Sequence, residues 1–321
     1  MYWMITNRNI QAAGFGDEFS ELSFWTNDSG PVDDFNSWKR AADAESFRAL
    51  LVAAAATFPN PLQTPPEKQK HVTFFVHGFN DSWTGACRRY GAIVQNLYSG
   101  GSSMGECILF SWPSEGTALG YLPDRSEARK SGEDFSIVLG ALYEWLSVMQ
   151  KLAAQDPTQS CRAMTSVIAH SMGNYLIENA MNVVWTRKNR PLLVSLVDQL
   201  LMVAADVDND LFRLGEAVSH GDGEGIANLT YRVTALYTGR DSVLGMSAGL
   251  KHFGKRRLGR SGLDLTCPVP DNVWDIDCSG LIAPGIGGME VHSAYFESPP
   301  CYELMRKILQ GLDRKIIASQ L

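Results

Sequence analysis

Short apolar runs recur along the chain, each broken by small or polar residues and each followed by a stretch with helical spacing. The runs fall at 72–76, 107–112, 165–169, 200–205, 231–237 and, less regularly, 273–278. They do not alternate apolar with polar. Runs of this kind suit strands buried on both faces of a parallel sheet. The intervening stretches carry their apolar residues every three or four positions. One is 82–97. Another is 131–152, which opens with Ser131 and Asp134 at capping-box spacing and carries Phe135, Val138, Leu142, Trp145 and Met149 on one face. Further helices are expected at 172–185, at 208–217 behind the Asp-Asn-Asp cluster 208–210, and at 302–317.

Strand and helix repeated five times predict a doubly wound, mostly parallel sheet of about eight strands with helices on both faces. The first 70 residues differ. Runs at 2–6 and 21–25 read as leading strands suited to an antiparallel edge, and 47–57 as a helix. A Pro-rich link at 59–66 then leads to the first central strand. The expectation is one domain over 1–321, with 1–70 as edge strands and helix and 71–321 as the catalytic core.

Composition narrows this little. Hydrophobic residues make up 45% and charged residues 20%, which excludes disordered and coiled-coil classes. The net charge of −7, from 28 basic and 35 acidic residues, disfavours nucleic acid as a partner. The longest apolar run, 49–56, is far short of the ~20 residues that cross a bilayer, so no stable membrane insertion is expected. The start carries no basic segment followed by an apolar one, which predicts a cytoplasmic protein. Six scattered cysteines form no CxxC pair and read as free thiols, with only Cys267 and Cys278 near enough in sequence to pair.

The decisive segment is 165–174, where a buried strand runs into Ala169-His170-Ser171-Met172-Gly173 and a helix follows. This is a nucleophile elbow, G-x-S-x-G, with Ala for the first Gly. Strand and helix pass close there, so residues two positions either side of the serine must be small. The turn exposes Ser171 Oγ at a helix N-terminus, which favours developing negative charge. A second strand ends in His77-Gly78-Phe79-Asn80. There the Phe79 N–H could join the Met172 N–H as an oxyanion hole.

Of the six histidines, His77 and His170 read as structural neighbours of these motifs. His71 lies at the wrong end of the sheet. His220 falls in a Gly-rich loop and His252 in a basic stretch. His292, after the last strand and before the final helix, is the expected base. The acid should follow a late strand. Asp241 is favoured, with Asp206 or Asp208 as the alternative and a helix cap as their plainer reading. The basic stretch Lys251, Lys255, Arg256, Arg257, Arg260 reads as a solvated loop that could flank a site mouth. Phe79, Trp83, Trp112 and Tyr121 are candidates to line a substrate pocket, with core packing as the alternative for each. A near P-loop at 249–256 lacks the metal-binding Ser or Thr, a calcium-like loop at 206–211 lacks its turn Gly, and a dinucleotide-like run at 14–19 lacks its third Gly.

The chain resembles the α/β-hydrolase fold, and within it a bacterial family of α/β-hydrolases of unknown function. The resemblance rests on Thr6-Asn-Arg8, Val76-His-Gly-Phe-Asn80, Phe110-Ser-Trp-Pro-Ser114, Ala169-His-Ser-Met-Gly-Asn174, Ala205-Asp-Val-Asp208 and His292-Ser293. It implies a Ser-Asp-His triad without metal or cofactor, and no particular substrate. No large lid is evident; only 114–133 and 242–272 could form a partial cover. The expectation is a serine carboxylesterase acting on a small-molecule ester of short to medium acyl chain, with a thioesterase, amidase or lipase, or a non-enzymatic protein on a hydrolase scaffold, as alternatives.

Overall fold

The computed structural model describes residues 1–12, 14–79, 81–114, 121–187, 195–214, 223–251 and 254–320. The chain opens on a hairpin of β1 (Tyr2–Gln11) and β2 (Gly14–Asn27), followed by the two-residue β3 (Lys39–Arg40) and α1 (Ala44–Ala55). The central alternation comes next: β4 (His71–Val76), α2 (Trp83–Leu97), β5 (Gly105–Ser111), α3 (Tyr121–Gln155), β6 (Met164–His170), α4 (Gly173–Arg187) and β7 (Val197–Val203). Then come α5 (Glu224–Leu229), β8 (Thr230–Tyr237), α6 (Ser242–Met246), α7 (Leu258–Ser261), β9 (Val273–Asp277), α8 (Pro299–Leu309) and α9 (Arg314–Ala318).

The nine strands form one sheet in the order β3-β2-β1-β5-β4-β6-β7-β8-β9. From β1 through β9 the neighbours are parallel; β2 runs antiparallel to β1 and to β3. This is the α/β-hydrolase fold. The apolar runs become strands because each has a helix layer on both faces. Phe74, Val76, Ile108, Phe110, Val167 and Ala169 face α1, α3 and α4. Phe75, Cys107, Leu109 and Ile168 face α2 and α8. The chain moves outward from β4 to β5 and then returns to β6 on the other side of β4. That reversal opens a crevice at the carboxyl ends of β4 and β6, where open α/β sheets bind ligands.

Several expectations change. The first helix after β5 begins at Tyr121, so most of 114–133 is helix rather than a cover loop. Ser131 and Asp134 cap nothing; inside α3 they bond Asn7 Nδ2 at 3.0 and 2.8 Å. The described part of 208–217 is not helical. The final helix breaks at Gly311, whose φ is 70°. Cys267 and Cys278 do not pair: Cys267 Sγ accepts from Arg213 Nη2 at 2.8 Å, and Cys278 lies against Cys301. No described helix is long and apolar enough to cross a membrane.

Candidate active site

Ser171 follows β6 with φ 52°, a left-handed conformation that β-carbon residues rarely hold. Backbone bonds hold it there. Ser171 N–H donates to Val203 O at 3.0 Å, and Asp206 N–H donates to Ser171 O at 3.1 Å. Asn174 Nδ2 donates to Ala169 O and Ser171 O at 3.0 and 3.1 Å. The small residues have a measurable reason. A Cβ on Gly173 would lie 2.5 Å from His77 O and 2.7 Å from Val76 O, so α4 starts against the end of β4. A Cβ on Gly78 would lie 2.7 Å from Ser171 Cβ, so the 77–79 loop touches the serine itself.

The other two groups arrive from later strands. Asp241 ends the turn after β8 and is fully buried. Its Oδ1 accepts Leu244 N–H at 3.0 Å, capping α6, while Arg260 Nη1 donates to its backbone carbonyl. Its Oδ2 accepts from His292 Nδ1 at 2.7 Å. His292 sits in a single helical turn, Glu290–His292, between β9 and α8. Its Nε2 lies 2.8 Å from Ser171 Oγ. With Nδ1–H committed to the carboxylate, Nε2 carries the lone pair that faces the hydroxyl. The three expected residues thus meet in one hydrogen-bonded chain.

Residues 54–264 match the family described as "Alpha/beta hydrolase of unknown function (DUF900)". The chain belongs to this family. No curated protein matches the hydrolase. Solved structures similar to it include lipase B of Aspergillus fumigatus, at 13% identity over 97% of this chain and 67% of that one, with a TM-score of 0.42. A thermostable esterase from Pseudomonas putida is 11% identical over 88% of this chain and 92% of its own, TM-score 0.36. A thermophilic carboxylesterase from a metagenomic library is 12% identical over 87% and 96%, TM-score 0.32.

The alternative acids are committed elsewhere. Arg257, fully buried rather than solvated, donates Nε to Asp206 Oδ1 at 2.8 Å and Nη1 to Asp208 Oδ1; Ser247 Oγ also donates to Asp206 at 3.0 Å. Lys255 Nζ pairs with Asp208 Oδ2 at 2.9 Å. These carboxylates lock the loop carrying Arg257 onto the end of β7, while His292 Nδ1 bonds Asp241. The Lys251 side chain, His252 and His220 lie outside the described residues.

His77 and His170 hold the surroundings of the serine. His77 is buried, stacked on Trp112 at 5.2 Å, and its Nε2 accepts Trp112 N–H at 3.1 Å. Its Nδ1–H donates to Gly78 O at 2.9 Å. Burial, aided by Arg8, pushes its pKa well down. His170 Nε2–H donates to the His292 carbonyl at 3.1 Å. His71, at the far end of the sheet, bonds Ser166 Oγ at 2.7 Å.

Two expected pocket residues are core instead. Trp112 is sealed over His77, its Nε1 donating to His77 O. Trp83, 5% exposed, starts α2 and packs against Phe15 and Phe35 beneath the hairpin. The Tyr121 side chain lies outside the described residues. Phe79 is half-buried beside the elbow and packs on the core. A cavity of about 420 Å³ lies between the sheet, α1 and α3, lined by Phe47, Phe74, Leu142 and Trp145 among others, and contains no triad residue. Among the described residues, no group of three or more His, Cys, Asp or Glu could hold a metal ion.

Arg8 serves the site from the first strand. Fully buried, it donates Nε to Ser111 Oγ at 3.0 Å, Nη2 to Asp81 O at 3.0 Å and Nη1 to Asp17 Oδ1 at 2.5 Å. It thereby braces the loop after β4. The only signal was the Thr6-Asn-Arg8 motif, with nothing local to say what the arginine reaches.

Proposed function

We propose that the hydrolase is a serine esterase that cleaves carboxylic esters through an acyl-enzyme. The observation that carries this is the unbroken chain Ser171 Oγ, His292 Nε2, His292 Nδ1, Asp241 Oδ2, with contacts of 2.8 and 2.7 Å at a strand-to-helix elbow. Ser171 Oγ attacks the acyl carbon while His292 Nε2 takes its proton. Asp241 keeps the imidazole in the Nδ1–H tautomer and stabilises the imidazolium. The N–H groups of Met172 and Phe79 receive the oxyanion; losing one such donor costs on the order of 10²–10³ in turnover. The tetrahedral intermediate collapses, His292 Nε2–H protonates the departing alkoxide, and the acyl group stays on Ser171. Water then attacks the acyl carbon with His292 again as base, releasing the acid and restoring the serine.

Short to medium acyl chains fit best. The segments that could have formed a lipid-gating cover are largely taken up elsewhere. Most of 114–133 is the start of α3, and Leu244 and Leu258 anchor 242–272 in the core. Among the described residues of these segments, only Met246 and Leu265 expose a large apolar side chain, short of the contiguous apolar face that a lipase lid exposes. Turnover of p-nitrophenyl acetate or butyrate is expected to exceed that of the palmitate at least tenfold, ~1.4 kcal/mol in the barrier. A preference for palmitate, or a jump in rate above the substrate's solubility limit, would overturn the short-chain reading.

A further inference from the structure

We propose that Arg89 is a positioning residue whose guanidinium holds the oxyanion loop, the nucleophile elbow and the histidine turn in a single register. The inference rests on the esterase reading above. Arg89 stands on the second turn of α2, with its side chain 19% exposed. Nη1 pairs with the Asp81 carboxylate, in the loop that follows Phe79. Nη1 also lies 3.4 Å from His170 Nδ1, one residue before the nucleophile. Nη2 donates to Ser293 Oγ at 3.1 Å, one residue after the base. Beneath it, at 5.8 Å, is the ring of Phe296.

Each contacted segment carries one working part of the site, and the farthest contact, Ser293, lies 204 residues from Arg89 along the chain. No shared strand or helix holds the three together at this point. A planar guanidinium fork can reach three acceptors at once, and a lysine ammonium at the end of a flexible stem cannot do so with the same geometry. The asymmetry of His170 strengthens the assignment. Its Nε2–H is spent on the His292 carbonyl, so Nδ1 is the acceptor, and Nδ1 faces Arg89. Arg89 therefore grips His292 twice, through Ser293 and through the His170 ring, which lies 4.9 Å from the His292 ring. Burial, then the adjacent positive charge of Arg89, keeps His170 neutral, as this relay requires.

A misplacement of about 1 Å at reacting atoms can cost on the order of 10²-fold in rate. Arg89→Ala should therefore lower kcat for p-nitrophenyl butyrate on the order of 10²-fold, with KM changed by no more than about threefold, since Arg89 bonds Asp81, His170 and Ser293 and its loss falls on the alignment of the reacting groups. Arg89→Lys should recover only part of the loss. Millimolar methylguanidinium should raise the kcat of Arg89→Ala at least about tenfold, a rescue that a general loss of folding would not allow. Wild-type kcat in Arg89→Ala, or a loss that methylguanidinium leaves untouched, would overturn the proposal. A second readout needs no activity. Nitrogen-15 shifts of His170 in the wild type should give a protonated Nε2 and a bare Nδ1, and a protonated Nδ1 would refute the Arg89 contact. If the wild type turns over no ester and takes no serine-directed probe, the esterase reading fails while the tautomer measurement still decides Arg89.

Discussion

Ser171 is held at an unfavourable backbone angle by bonds from Val203, Asp206 and Asn174, so the strain that exposes its hydroxyl is offset by the end of the neighbouring strand. The carboxylates around it divide by partner. Asp241 faces an imidazole; Asp206 faces a buried guanidinium. Asp241→Asn should cut ester turnover on the order of 10⁴-fold with little change in stability, because the imidazole loses its tautomer and orientation. Asp206→Asn should leave Arg257 with the partly exposed Asp208 in place of its buried carboxylate and cost about 2 kcal/mol of folding free energy, measured by urea unfolding, while folded enzyme keeps most of its turnover. The opposite pattern would place the acid on β7. Ser171 and Asp241 were legible because each follows an apolar run, and His292 because it lies between the last run and the final helix, in the order that the elbow sets. The Asp206 and Asp208 partnership was not, because Arg257 lies some 50 residues away and reads as one charge in a basic stretch.

Packing between elements explains the glycines at the site. Gly173→Ala would drive a Cβ onto the backbone carbonyls of Val76 and His77, which cannot yield as a side-chain tip could. The variant should lose about 2 kcal/mol and most of its esterase activity, because the oxyanion loop must shift. Gly101→Ala, with nothing within 4 Å of the added carbon, is the control and should change stability by no more than about 0.5 kcal/mol. Equal unfolding midpoints for the two would refute the close approach. The central strands were legible because burial on both faces leaves near-continuous apolar runs. The hairpin was only half legible. The polar stretch of β2 lies in its exposed part, where periodicity is weak. The first ten residues of α3 were missed because charge and Pro123 mask the helix, and Ser131 with Asp134 imitated a cap while serving Asn7. The helix expected at 208–217 is missing over its described part, 208–214, for a related reason. Asp208, which should have capped it, is bound to Arg257 and Lys255.

Across the whole molecule, three of the described histidines, His71, His77 and His170, are buried and neutral in the central sheet region. Burial lowers the pKa of His71 to about 4 and pushes those of His77 and His170 well down. The unfolded chain binds protons at these groups from about pH 6.5 downward, so their contribution is complete above pH 6.5 and is lost as pH falls toward the folded values. Asp198, raised to about 6 by burial, acts in the opposite sense between pH 6 and 4 and offsets part of the loss. Urea unfolding at pH 7.5 and pH 5 should therefore find the protein less stable at pH 5, on the order of 2 kcal/mol from His71 alone before the Asp198 offset. His71→Gln should flatten this dependence; equal stability at the two pH values would contradict it. The central claim, that the chain from Asp241 through His292 activates Ser171, is tested most directly by covalent labelling. A fluorophosphonate incubated with the folded protein should add one phosphonyl group, mapped by peptide mass to Ser171. Labelling should vanish in Ser171→Ala and slow by orders of magnitude in His292→Ala. Absence of label on the folded wild type, or equal labelling of Ser171→Ala, would contradict it.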